Sequence, residues 1–220
     1  MSFIPWIIQF KWGFSTTERK DFDSTADFTS NGWTQDTFYI GSDWWTSSVS
    51  GWLWTFTIPP NDRWVSLRKI FGSSLAAFDI SAQFNTVTTG NAWWIWNSCP
   101  AILIWWGDFP ILDAGNWSTA WIGMWLNQIT TGWYTGLPMF SWEWVNQSWW
   151  AAWGTWGNYV YRIKFDWAVY TFTQETTGWT VLVTKTYSST KKPTQFVIWM
   201  RAWYTSEAQC TTCEFIELKY

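Results

Sequence analysis

An all-β fold, built from two packed antiparallel sheets, is what this 220-residue sequence predicts. Two observations carry the prediction. Apolar and polar residues alternate with a period of two along most of the chain, and clusters of turn-forming residues separate the alternating runs. Short strands at that spacing are the pattern of a sandwich closed around one core.

Taken in order, residues 1 to 20, "MSFIPWIIQFKWGFSTTERK", open with an apolar run broken by Pro5 and Gln9. No charged segment precedes that run, so it is a poor signal peptide. It reads as an N-terminal arm or edge strand, and residues 21 to 220 read as a single β-sandwich domain. "GWLWTFTI" sets Trp52, Trp54, Phe56 and Ile58 against Leu53, Thr55 and Thr57. "NDRWVSLRKIFG" reads as a strand like its neighbours; a short helix capped at Asn61 or Asp62 and stopped at Gly72 is the other reading.

"AFDISAQFN" places Phe78, Ile80, Ala82 and Phe84 on one face and Asp79, Ser81, Gln83 and Asn85 on the other. "NYVYRIKF" sets Tyr159, Tyr161, Ile163 and Phe165 against Arg162 and Lys164. "TQFVIWMRA" aligns Phe196, Ile198, Met200 and Ala202, and "EFIELKY" aligns Ile216, Leu218 and Tyr220. Between the runs lie "PPND", "TTGN", "DAGN", "ETTG" and "SSTKKP", all built from residues that favour turns. "NQSWWAAWGTWGN", residues 146 to 158, lies between a strand ending near Val145 and one beginning at Asn158 and reads as a connection with a short strand inside it; its consecutive Trp149 and Trp150 would face opposite ways on a strand and so cannot both stack on one ligand.

Composition narrows the function. The net charge is −3 and Lys plus Arg total 13, so no basic stripe is available for nucleic-acid phosphates. No apolar stretch is long enough to span a membrane. Trp occurs 27 times and His not at all. So many indoles exceed what a chain of this size can bury, and Trp also falls where alternation calls for a polar residue, as at Trp105, Trp106 and Trp199. Either many rings face solvent or another subunit, or Trp stands in the sequence for other residues of the protein.

Both ends of the domain carry a family pattern. "KDFDSTADFTSNGWTQ" near the start resembles the opening of concanavalin A-like lectin and glucanase domains, where an acidic-aromatic strand leads through a short loop to Gly-Trp. The tail from "YRIKFDWAVYTFTQETTGWTVLV" through "KPTQFVIWMRA" to "CEFIELKY" is similar to the closing strands of the same fold. The resemblance lies in strand order and spacing over nearly the whole chain. It implies a two-sheet jelly-roll β-sandwich with one concave sheet that, in relatives, binds or cleaves polysaccharide.

On such a sheet, Trp94 and Trp96 of "NAWWIWN" and Trp142 and Trp144 of "SWEWV" are candidates for stacking on sugar rings, with core packing as the alternative for each. A retaining glycosidase needs two carboxyl groups about 5–5.5 Å apart. Glu143 is the nearest catalytic candidate, but Val145 and Gln147 occupy the positions where a same-face partner would stand. The resemblance also allows a calcium ion beside the sugar, for which Asp113 and Asn116 of "DAGN" are the candidates; a plain turn is the other reading.

Without His, neither a Ser-His-Asp triad nor an imidazole metal site can be written. Cys210 and Cys213 are half of a zinc set, and their spacing suits a small disulfide loop that leaves Cys99 free, unless Cys99 pairs with one of them. A disulfide, together with the glycosylation sequons at Asn116 and Asn146, points to an extracellular protein. The sequence therefore predicts a secreted, lectin-like, non-catalytic sandwich that binds a glycan. The alternatives are a structural subunit of an extracellular filament or coat, with copies of itself as neighbours, and a glucanase-like hydrolase.

Overall fold

The computed structural model describes residues 14–39, 46–58, 63–88, 96–105, 121–129, 137–142, 145–148, 157–202 and 209–220. Among them are fifteen strands. In chain order these are β1 (Thr17–Lys20), β2 (Trp33–Tyr39), β3 (Thr46–Ser50), β4 (Leu53–Ile58), β5 (Arg63–Ile70), β6 (Ala77–Thr88), β7 (Trp96–Trp105) and β8 (Trp121–Ile129). They continue with β9 (Leu137–Trp142), β10 (Val145–Ser148), β11 (Gly157–Asp166), β12 (Val169–Thr176), β13 (Val181–Ser188), β14 (Gln195–Ala202) and β15 (Gln209–Lys219).

The strands form two antiparallel sheets. One runs β13-β12-β11-β6-β15-β4-β3, with β1 as an eighth strand beside β15; the other runs β10-β9-β8-β7-β14-β5-β2. Strand β15 organises the first sheet. Along one side it pairs with β6, and along the other β4 takes residues 209 to 213 while β1 takes residues 216 to 219. Thr17–Lys20, at the end of the segment read as arm or edge strand, are thus part of the sandwich.

The alternation seen in sequence becomes the core. Phe78, Ile80, Ala82 and Phe84 of β6 lie beside Phe165, Ile163, Tyr161 and Tyr159 of β11, and β15 adds Ile216 and Leu218. From the other sheet come Leu67, Ile102, Ile104, Phe196 and Ile198. Phe78 meets Phe196 across the interface edge-on, with ring centroids 4.7 Å apart. Each such side chain removed from water contributes about 1.5–3 kcal/mol before conformational entropy is subtracted. The 63–70 segment is strand, paired on both sides, and not helix.

One end of the sandwich is closed by Phe22, Phe28 and Trp54, whose rings lie 5.0–6.1 Å apart. The acidic-aromatic stretch expected there as a strand is instead two short 3₁₀ turns, Thr25–Phe28 and Ser30–Gly32. Beneath them sits a buried charge cluster. Glu18 accepts hydrogen bonds from Lys69, Tyr220 (2.6 Å) and Trp33 Nε1 (3.1 Å), while Lys20 donates to the Ser30 carbonyl. Burial pushes the Glu18 carboxyl up, but the bonds from Lys69, Tyr220 and Trp33 outweigh it and hold the group below its ordinary value.

Two sequence expectations fail here. Trp52 does not share a core face with Trp54: it occupies the tight turn between β3 and β4 and is 63% exposed. The Cys210–Cys213 loop does not form either. Both residues lie within the continuous strand β15, and Cys213 is a free, buried thiol. Burial raises its pKa, so it stays neutral.

Candidate functional site

On the outer face of the eight-stranded sheet, the residues that alternate with the core are polar yet scarcely exposed. Asp79, Ser81 and Gln83 of β6 and Glu175 of β12 are all buried. Buried polar groups must be paired, and the strand register supplies the partners. One row across the sheet reads Lys164, Asp79, Lys219 and the next reads Thr173, Arg162, Ser81, Glu217, Arg19. Opposite charges therefore fall side by side.

Arg162 is the hub of this face. Its guanidinium lies 3.5 Å from Asp79 and 3.6 Å from Glu175, while Lys164 lies 3.6 Å from the other oxygen of Asp79. Thr173 Oγ1 donates to Glu175 at 2.6 Å. Burial raises the pKa of Asp79, and Arg162 and Lys164 only partly offset it. Glu217 is held by Lys219 at 2.6 Å and Arg19 at 3.7 Å.

Next to this network the register of β15 shifts between Cys213 and Phe215, which makes Glu214 the extra residue of a bulge. A bulge re-aims side chains, and here both Glu214 and Phe215 serve the outer face. The Glu214 carboxylate accepts from Gln83 Nε2 and Asn158 Nδ2, and Gln83 Nε2 also donates to Asn158 Oδ1 at 3.0 Å. Phe215 is covered by the Arg19 guanidinium, 4.2 Å from the ring centroid, and lies 5.9 Å from Trp179.

These groups open into a cleft of about 620 Å³. Gln83, Glu214 and Phe215 line it from the sheet, with Arg19 and Asp21 on one side. The β3–β4 turn contributes Gly51 and Trp52, and the β12–β13 turn contributes Thr177 and Trp179. Its polar groups are acceptors and donors in planar pairs, suited to a ligand rich in hydroxyls.

The residues described as lining this cleft were not among the site residues named from sequence. Trp94, Trp144, Glu143, Asp113 and Asn116 fall outside the described residues. Trp96 begins β7 and Trp142 ends β9, opposite Val145, both in the seven-stranded sheet; Asn146 lies in β10 opposite Ser141. The pairing of Glu214 with Gln83 and Asn158 was missed because it joins three strands far apart in sequence through a bulge. The available signal was the polar half of "AFDISAQFN" matched by Arg162 and Lys164. Among the described residues, no group of His, Cys, Asp and Glu is arranged to hold a metal ion, and no helix is long and apolar enough to cross a membrane.

No family model and no curated protein matches the chain. Solved structures do. The CBM2 module of the Lactobacillus casei BL23 phage J-1 evolved Dit matches with a TM-score of 0.63 at 11% identity, over 92% of this chain and 94% of that one. Peanut lectin matches with a TM-score of 0.63 at 10% identity, over 93% and 96%. The fold is that of the concanavalin A-like lectins. The mannose- and calcium-bound exoplasmic domain of VIP36 matches with the same TM-score at 8% identity, over 92% and 88%. This lectin jelly roll accounts for the two antiparallel sheets and for the near absence of helix.

Proposed function

We propose that the chain is an extracellular, non-catalytic sandwich that binds carbohydrate, and that the cleft at Glu214 is part of its ligand surface. The observation that carries this reading is Glu214 and Gln83 side by side in the cleft lining, with Asn158 bonded to both. An ionised carboxylate offers about four lone-pair sites. The two amides occupy two of them, so Glu214 keeps acceptor capacity for sugar hydroxyls while its orientation is held from behind. The lectin fold of the neighbours supports the same reading.

Glycan-array binding followed by titration calorimetry tests it. Glu214→Gln replaces a charged acceptor by a neutral amide, and hydrogen bonds to charged groups are worth about 1.5–3 kcal/mol, so affinity falls roughly ten- to a hundredfold. Unchanged affinity in that variant, with loss of binding in Trp142→Ala, would move the ligand to the seven-stranded sheet. An empty array would end the lectin reading.

A second reading, the filament or coat subunit, draws on β13. This edge strand of the eight-stranded sheet leaves Val181 and Leu182 exposed beside unpaired backbone groups. A monomer by ultracentrifugation at high concentration counts against it. For the hydrolase, Asp79, Glu175, Glu214 and Glu217 of the outer face are engaged by cations, amides or a hydroxyl, an arrangement of structural pairs rather than of an acid beside a nucleophile.

A further inference from the structure

Among the described residues, five that are not glycine have a left-handed backbone, and three of these are tryptophan: Trp52 (φ 66°), Trp167 (φ 53°) and Trp179 (φ 66°). That region crowds a Cβ against the following carbonyl, and a bulky residue there is an outlier. Glycine enters it freely.

Each of the three stands in a chain reversal where glycine is the ordinary choice. Gly51 and Trp52 are the two central residues between Ser50 and Leu53, with φ of 60° and 66°. Two positive values define the hairpin turn that selects Asn-Gly or Gly-Gly. Trp167 is the first of the two residues between the paired Asp166 and Val169 and the only one of the two at positive φ, the place a two-residue hairpin turn of that kind gives to glycine. Trp179 follows Gly178 between β12 and β13, and its amide bonds back to the Thr176 carbonyl at 2.8 Å.

The residues are 63%, 46% and 45% exposed; Lys192 lies 5.1 Å from the Trp167 ring, and Arg162 and Phe215 lie 4.8 Å and 5.9 Å from the Trp179 ring. Trp33 and Trp54 form the opposite class: their φ is not positive, their rings are buried, and Trp33 Nε1 donates to Glu18.

We infer that positions 52, 167 and 179 are glycine positions, and that the cell which makes this protein reads their codon as glycine. The codon that allows it is UGA, a single base from the tryptophan codon UGG and a single base from the glycine codon GGA. A transfer RNA that reads UGA can be charged with either amino acid, and which one enters the chain depends on the host. The same cause, acting at further positions of this kind, raises the count toward the 27 tryptophans in 220 residues. With glycine at 52 and 179 the cleft loses two of its walls, while Glu214, Gln83 and Asn158 are untouched; the two proposals stand or fall separately.

Peptide mass spectrometry of the protein purified from its own source tests this directly. Trypsin cleaves after Lys164 and Lys185, releasing a peptide that holds both Trp167 and Trp179. The expected mass is lower than the tryptophan-containing value by two tryptophan-to-glycine differences, and the peptide spanning residues 21 to 63 shows glycine at 52. Tryptophan masses at all three positions overturn the inference. In recombinant protein that carries tryptophan at all three positions, Trp167→Gly raises the melting midpoint by roughly 2–4 °C, and Trp167→Ala, which keeps a Cβ at positive φ, raises it less. Equal gains from Gly and Ala would show that the ring, not the Cβ, is the misfit, and would also overturn it.

Discussion

The two faces of β6 are buried almost equally and for opposite reasons. Phe78, Ile80 and Ala82 on the inner face are 0% exposed, while Asp79, Ser81 and Gln83 on the outer face are 9%, 2% and 8% exposed. The inner row is stable because apolar surface has left water, and needs only shape-compatible neighbours. The outer row is tolerable because Asp79 meets Arg162 and Lys164 and Gln83 meets Glu214 and Asn158, which makes it the more fragile of the two in geometry and the more useful in chemistry. Low exposure therefore does not by itself separate core from site; the type of partner does.

The largest test of this contrast is on the inner face. Phe78→Ala removes a ring packed against Phe165 and Phe196 and costs roughly 3–5 kcal/mol, read as a lower denaturant midpoint. A loss below about 1 kcal/mol would mean that the two sheets do not pack through this ring. On the outer face, Arg162→Met keeps the bulk but strips the cation from Asp79 and Glu175, with an expected cost of roughly 2–3 kcal/mol. Adding Asp79→Asn recovers part of that cost if pairing is what makes the outer row tolerable; strict additivity of the two would refute it.

The smallest effect is visible only through pH. Glu18 has a folded pKa below its ordinary 4.5. The stability it adds is present above the unfolded value and lost as pH falls through the lowered folded one. Glu18→Gln thus flattens the acid limb of the stability curve and leaves less to lose below pH 4.5. An unchanged acid limb would show that the cluster with Lys69, Tyr220 and Trp33 does not hold the charged form.

The strands were legible wherever side-chain direction is a local matter. At 78–85, 159–165, 196–202 and 216–220 the alternation places the same residues inward that the structure buries, apart from the side chains outside description. Trp52 was misplaced because a period of two runs straight through a tight turn unless the turn is marked, and tryptophan is not a turn signal. The cleft was not legible. Glu214 takes its partners from β6 and β11, and Glu217 pairs with Arg19 of β1 as well as with Lys219 on its own strand; the bulge at Glu214 breaks the rule by which faces are assigned.

By itself the sequence determined the fold class, the strand-by-strand choice of inner face and the charge balance, because periodicity and solvation act over a few residues. Only the tertiary structure decided which polar residues converge, that Cys213 stays a free thiol, and which tryptophans sit at left-handed positions. Those outcomes depend on register, bulges and backbone angles, which are set when distant strands pair and carry no fixed spacing along the chain.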